Sequence, residues 1–149
     1  MAVSEADVAD LIELCDRGHQ SWIEGRLGFA EGADVDQDAD MTIFGPFGGE
    51  AVRGTAQLAE RQPRAVAMFE GGTGGCDVVK TIVEGDIAAV VMIERNEVRL
   101  RGREGTQAWN LRTTSVFRHT EHGWVRLHRH ADPLSRFRSP DETFGLARD

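Results

Sequence analysis

Apolar side chains recur at three- and four-residue spacing through Val8, Leu11, Ile12, Cys15, His19, Trp22 and Ile23, which predicts one amphipathic helix over roughly residues 4–25. Ser4 with Asp7 three residues later is the opening signature of such a helix. Gly25 and Gly28 break it, and residues 27–31 read as one more short helical turn before Gly32. Asp34, Asp36, Asp38 and Asp40 alternate in what reads as a solvated loop. A calcium loop starting at Asp34 would need Gly sixth and Glu twelfth, where Ala39 and Gly45 stand. Residues 41–44 form a short apolar strand ended by Gly45-Pro46 and Gly48-Gly49, and Val52-Arg53 a second one. Thr55 caps a helix through Leu58 that, past a break near Pro63, reaches Met68 and Phe69. The glycines of residues 71–75 lead into strand-like Cys76-Asp77-Val78-Val79 rather than a helix with a Lys-Ser/Thr pair. They read as a flexible connection, not a phosphate loop.

From residue 76 the period changes to two. Residues 78–83 and 87–93 are rich in β-branched side chains and are joined by the hairpin turn Glu84-Gly85-Asp86. Residues 96–101 continue the second strand, which is then long and bent or bulged. Arg103-Glu104-Gly105 turns into a strand over residues 107–118, with Trp109, Leu111, Thr113, Ser115 and Phe117 on one face. Glu121-His122-Gly123 turns again into residues 124–131, and Pro133 ends that strand. Helices first, then a strand and helix, then an antiparallel meander predict an α+β domain with helices on one face of a curved sheet.

The 149 residues fit one domain, and 40% hydrophobic with 28% charged residues excludes a largely disordered chain. No apolar run approaches the roughly 20 residues of a membrane span. The acidic, amphipathic start lacks the pattern of a signal peptide, so a cytoplasmic protein is expected. Cys15 and Cys76 lie in different elements without metal-type spacing and read as reduced thiols. The net charge of −8 is uneven: −12 over residues 1–94, +6 over 95–138 and −2 over the last eleven. Four of the five histidines also fall in the basic segment, which either favours an anionic ligand or pairs with the acidic helices. An acidic domain without an aromatic-plus-basic motif argues against nucleic acid as a partner.

Three segments carry a more specific likeness: the Trp22 helix end; residues 40–46, DMTIFGP, followed by Gly54-Thr55; and Gly123-Trp124-Val125-Arg126-Leu127-His128-Arg129-His130. Together they resemble the SnoaL-like and ketosteroid-isomerase-like families of the nuclear transport factor 2-like superfamily, over residues 5–134. The remaining residues 135–149 read as a loosely attached tail. The resemblance implies a cone, in which a strongly bent mixed or antiparallel sheet wraps around the N-terminal helices and a mostly apolar pocket opens at one end. It also implies homodimers through the outer sheet face. Members include isomerases, polyketide cyclases, dehydratases and non-catalytic proteins, so the fold chooses no activity. Ketosteroid isomerases pair an Asp base with an oxyanion hole of Tyr and protonated Asp. This chain has no tyrosine and reads Gly45-Pro46 where that base segment ends in Asp-Pro, which argues against their mechanism.

Strict alternation in the last strand puts Trp124, Arg126, His128 and His130 on one face and Val125, Leu127 and Arg129 on the other. His128 and His130 are the acid/base candidates, since imidazole titrates near neutral pH. Asp132 beside them and Asp40 at the mouth of the first strand are the candidate carboxylates. Trp22, Trp109, Asn110, Arg112, Phe117 and Arg126 are the candidate substrate-binding residues, with an arginine suited to a carboxylate. Periodicity leaves open which face of each strand is inward. His128 and His130 stand about 6.6 Å apart along a strand, but Asp132 lies about 13 Å from His128, so a metal site there is strained and none is expected. The expected function is cofactor-independent acid/base chemistry, as an isomerase, cyclase or dehydratase, on a small hydrophobic or anionic organic ligand. The alternative is a non-catalytic ligand-binding or subunit-association module, as in the association domain of calcium/calmodulin-dependent kinase, whose closing Trp-x-x-x-His-x-His pattern is similar.

Overall fold

Ser4 opens the first helix, α1 (Glu5–Ile23), through a complete capping box: its hydroxyl accepts from the Asp7 amide, and the Asp7 carboxylate accepts from the Ser4 amide. The computed structural model describes residues 2–28, 32 and 34–148, so the turn expected over residues 27–31 lies partly outside the described residues. The remaining elements are β1 (Asp36–Phe44), β2 (Val52–Arg53), α2 (Gly54–Val66), β3 (Phe69–Glu84), β4 (Ile87–Leu100), β5 (Gln107–Ala108), β6 (Leu111–Thr120), β7 (Gly123–Pro133) and α3 (Pro140–Leu146). The strands form one mixed sheet in the order β2-β1-β7-β6-β4-β3, with β5 on β4. Only the β1·β7 pair is parallel among these ladders. α1 and α2 packed against this open sheet make the expected α+β, cone-like fold.

The core follows from two periodicities that meet. Leu11 and Cys15 on α1 pack against Ala88, Val90 and Met92, the inward phase of β4, and against Phe117 and Trp124. Trp124 also donates its indole N–H to the Asp7 carbonyl at 2.9 Å, which ties β7 to the start of α1. A second cluster of Ile23, Phe69 and Val98, with Trp22 and Trp109 against it, closes the other end of the helix.

Four local expectations change. Asp36, Asp38 and Asp40 lie in β1 rather than in a loop, with Asp34 just ahead of it; there the register against β7 slips between Gln37 and Thr42, and Asp38 accepts the Asp40 amide at 3.0 Å. α2 starts at Gly54, ahead of Thr55, runs through Pro63 and ends at Val66, so Phe69 opens β3 instead of closing a helix. The glycine run belongs to β3, and at Gly72 and Gly74 β4 lies so close that only a residue without Cβ fits. A Cβ on Gly72, at φ +138°, would meet the Glu97 carbonyl oxygen at 2.1 Å. The tail holds a capped helix, α3, in which no residue is buried. Among the described residues no helix is long and apolar enough to cross a membrane.

Candidate functional site

One extra residue in β7 decides what faces inward. β6 pairs Phe117 with Arg126 but Val116 with His128, so Leu127 is a bulge with no partner of its own. Phe117, Ser115 and Thr113 are the inward phase of β6, and their partners are Arg126, Arg129 and Ala131. Past the bulge, the alternation read from the sequence is therefore inverted. His128 and His130 lie opposite outward-facing Val116 and Thr114, and Arg129, assigned from the sequence to the other face, turns in.

The inward face encloses a cleft of about 270 Å³ between α1, α2 and the sheet. Its aromatic wall holds Trp22, Trp109 and Phe47, with the Phe47 and Trp109 rings stacked at 5.4 Å. Its polar floor holds Asp34 and Arg126, whose two terminal nitrogens face the two carboxylate oxygens at 3.4 and 3.5 Å. Gly18 in mid-helix makes room for this pair, since a Cβ there would stand 2.2 Å from Asp34 Cγ. Arg126 is 9% exposed and rests on the Phe117 ring, its guanidinium carbon 5.4 Å from the centroid. Its Nε and the hydroxyl of Ser115, another cleft-lining residue, are buried without a hydrogen-bond partner among the described residues.

Beside this pair lies a second charged group. Glu94, 3% exposed, takes both terminal nitrogens of Arg129, at 2.8 and 3.2 Å, and faces His19 Nδ1 at 3.5 Å. Burial alone would push the Glu94 carboxyl up. The Arg129 charge and hydrogen bonds, with His19 and Arg126 behind them, outweigh that and hold it below the ordinary carboxylate value. Asn96 bridges His19, at 2.5 Å, and the Trp109 carbonyl, at 2.6 Å, while its own amide donates to Asn110 Oδ1 at 2.9 Å. Cys15, where the apolar core meets the cleft, has its thiol pushed up to about 12 by burial.

Of the candidates named from sequence, Trp22, Trp109 and Arg126 line the cleft, while Asn110 and Phe117 stand behind it as supports. Arg112 pairs with Asp132 at 3.4 Å on the exposed side, and Asp40 is exposed on β1. His128 bonds Thr42 at 2.7 Å, and its ring and that of His130 lie 5.8 and 5.3 Å from the Phe44 ring. Partial burial and then the neighbouring His130 charge lower the His128 pKa, against the raising effect of Thr42. The His128 ring protons are thus expected to titrate below the ordinary histidine value in an NMR pH series, and to move up toward it in His130→Gln. An unchanged midpoint in that variant would remove His130 as a cause.

Asp34, Glu94, Arg129 and His19 were not among the candidates, although two of them left a trace in the sequence. Glu94 and Asn96 occupy the inward phase of β4 between Met92 and Val98. His19 sits on the apolar stripe of α1. A polar side chain in an apolar phase is the signal that points into a cavity. Asp34 and Arg129 carry no such signal, because a loop end places one and a bulge the other.

The SnoaL-like domain profile matches residues 29–134. No curated protein matches the chain. Among solved structures, a nuclear transport factor 2-like superfamily protein from Salmonella enterica serovar Typhimurium superposes with TM-score 0.75 at 18% identity, over 93% of this chain and 99% of its own. A protein assigned as a dehydratase of the same family from Streptomyces avermitilis gives 0.67 at 20%, covering 86% and 98%. The CaMKII hub of S. rosetta gives 0.67 at 15%, covering 89% and 99%. At these identities the likeness is one of fold.

Proposed function

The chain belongs to the SnoaL-like domain family, and on that premise we propose that its cleft binds a small organic molecule through a carboxylate or carbonyl oxygen and transforms it by acid/base chemistry. One observation carries this reading: Arg126 and Ser115 both line the cleft, and the Arg126 Nε and the Ser115 hydroxyl are each buried without a hydrogen-bond partner among the described residues. Two buried donors without acceptors are costly, and a ligand oxygen satisfies both. Charge that develops on that oxygen as a neighbouring proton leaves is stabilised by the same donors, in a site that excludes bulk water. Asp34, held against Arg126, is the carboxylate placed to take the proton and return it. An isomerase, cyclase or dehydratase reaction on a ketone or acid with an apolar body matches this arrangement, the body lying on Trp22, Trp109 and Phe47. In this reading Asp34 takes the acid/base role, while His128, His130 and Asp132 serve the outer face.

The test is a fluorescence titration, since Trp22 and Trp109 report on the cleft, against aromatic acids, steroids and polyketide-like ketones. Wild type is expected to bind at least one class, and Arg126→Lys to weaken it at least about 10-fold, because lysine cannot reproduce the Nε donor. His128→Gln/His130→Gln is expected to bind as wild type does. Equal affinity in Arg126→Lys would sink the proposal.

A second reading has its own support. Val79 and Ile82 on β3, with Phe44 on β1, expose apolar surface outside the cone, at 64%, 50% and 42%. We propose that this outer face joins two copies of the chain, with sedimentation as the measurement. A large ring-like assembly that ignores every ligand would favour a subunit-association role over the enzyme.

A further inference from the structure

We propose that His19, Cys76 and Glu94 bind one divalent transition-metal ion of the zinc class in the wall of the cleft. Cys76 and Glu94 are direct register partners on β3 and β4, so their side chains leave the sheet on the same face. His19 reaches over them from α1, and one ligand atom from each of the three lies within 4.8 Å of the others. Nitrogen, thiolate sulfur and carboxylate oxygen are the donors zinc takes, and the sulfur disfavours magnesium and calcium.

The orientation of His19 points the same way. Asn96 gives its amide N–H to the Trp109 carbonyl at 2.6 Å, which turns Oδ1 toward His19, and His19 Nε2 therefore donates its proton to that oxygen, at 2.5 Å. In neutral His19 the lone pair is then on Nδ1, facing Glu94 Oε2 across 3.5 Å. A lone pair and a carboxylate oxygen face to face attract a positive charge between them, which either a proton on Nδ1 or a metal ion supplies. A carbonyl-type oxygen on the far ring nitrogen is the arrangement that orients a metal-binding imidazole.

Arg129 does not block the site. It stands closer to Glu94 Oε1, at 2.8 Å, than to Oε2, at 3.2 Å, so the oxygen facing His19 is the less tightly held. The charges also balance. The ion and Arg129 bring three positive charges, and Glu94, the Cys76 thiolate and Asp16, which hydrogen-bonds the Cys76 thiol, bring three negative ones. On ligation the S–H bond is exchanged for a sulfur–metal bond and the thiol proton passes to solvent.

Titrating the folded full-length chain with cobalt(II) and zinc(II) tests this without any substrate, and so independently of the acid/base reading. The expected result is one ion per chain with a cobalt–thiolate charge-transfer band. Cys76→Ser, a near-isosteric change at a partly exposed residue, should abolish the band and weaken zinc binding at least about 100-fold, and His19→Gln should weaken it similarly. His128→Gln/His130→Gln should leave both unchanged. Two outcomes would overturn the proposal: no stoichiometric uptake by the wild type, or uptake that survives Cys76→Ser and disappears in the His128/His130 variant.

Discussion

Replacing Glu94 by alanine is expected to cost about 3–5 kcal/mol of folding stability, the loss typical of breaking a buried ion pair from one side. Glu94 is 3% exposed and is the acceptor for both terminal nitrogens of Arg129. Without it the Arg129 guanidinium, on the cleft wall, is left with only the Asp34 charge, which it shares with Arg126, and the Asn96-held His19 loses its neighbour. Since a domain of this size has a total margin of about 5–15 kcal/mol, the variant should melt far earlier in urea. Removing the arginine as well, in Glu94→Leu/Arg129→Met, should recover most of the loss, because the remaining hole is apolar and filled. A single variant within about 1 kcal/mol of wild type would show that the pair is not buried as described.

The same pair sets an acid limit. Its neighbours depress the folded Glu94 pKa, so its contribution is complete above the unfolded carboxyl value of 4.5 and is lost as pH falls through the lower folded value. The double variant should therefore show a flatter stability profile below about pH 4.5 than the wild type.

Phe117→Ala is expected to cost a further 3–5 kcal/mol, by a different mechanism, as deletion of a fully buried ring leaves a cavity that strands cannot collapse to fill. Phe117 is 0% exposed and meets Trp124 edge-on, with centroids 6.5 Å apart at 79°. Its other face supports the Arg126 guanidinium at 5.4 Å, so the substitution also loosens the proposed ligand contact. Phe117→Leu keeps most of the volume, so its packing loss alone should stay below about 1.5 kcal/mol. It still removes the ring beneath Arg126, a contact worth about 0.5–2 kcal/mol. Denaturation curves for the two variants separate the cavity from the ring, and nearly equal losses would refute the cavity account.

The elements that local chemistry controls were legible in the sequence. The Ser4–Asp7 box, the α1 stripe, the 84–86 hairpin turn and the Leu111-Thr113-Ser115-Phe117 face all depend on residues within a turn or two of each other, and all appear in the structure. Where long-range pairing acts, the reading changed. Gly71 and Gly72 look like a loop until β4 lies against them. Pro63 reads as a break in a helix reaching Phe69, whereas the helix runs through it unbroken and closes at Val66.

The candidate site divides along the same line. Sequence alone determined that a basic, histidine-rich closing strand follows an acidic helical half, because composition carries that information; it offered Trp22, Trp109 and Arg126 as candidates alongside Asn110, Arg112 and Phe117, which do not line the cleft. Only the tertiary structure decided that Arg129 faces inward and His128 and His130 outward. Alternation along a strand has a period of two, so a single unpaired residue, Leu127, inverts every side chain beyond it. Nothing in residues 123–130 marks that residue, since its position is set by the partner register of β6 on one side and β1 on the other.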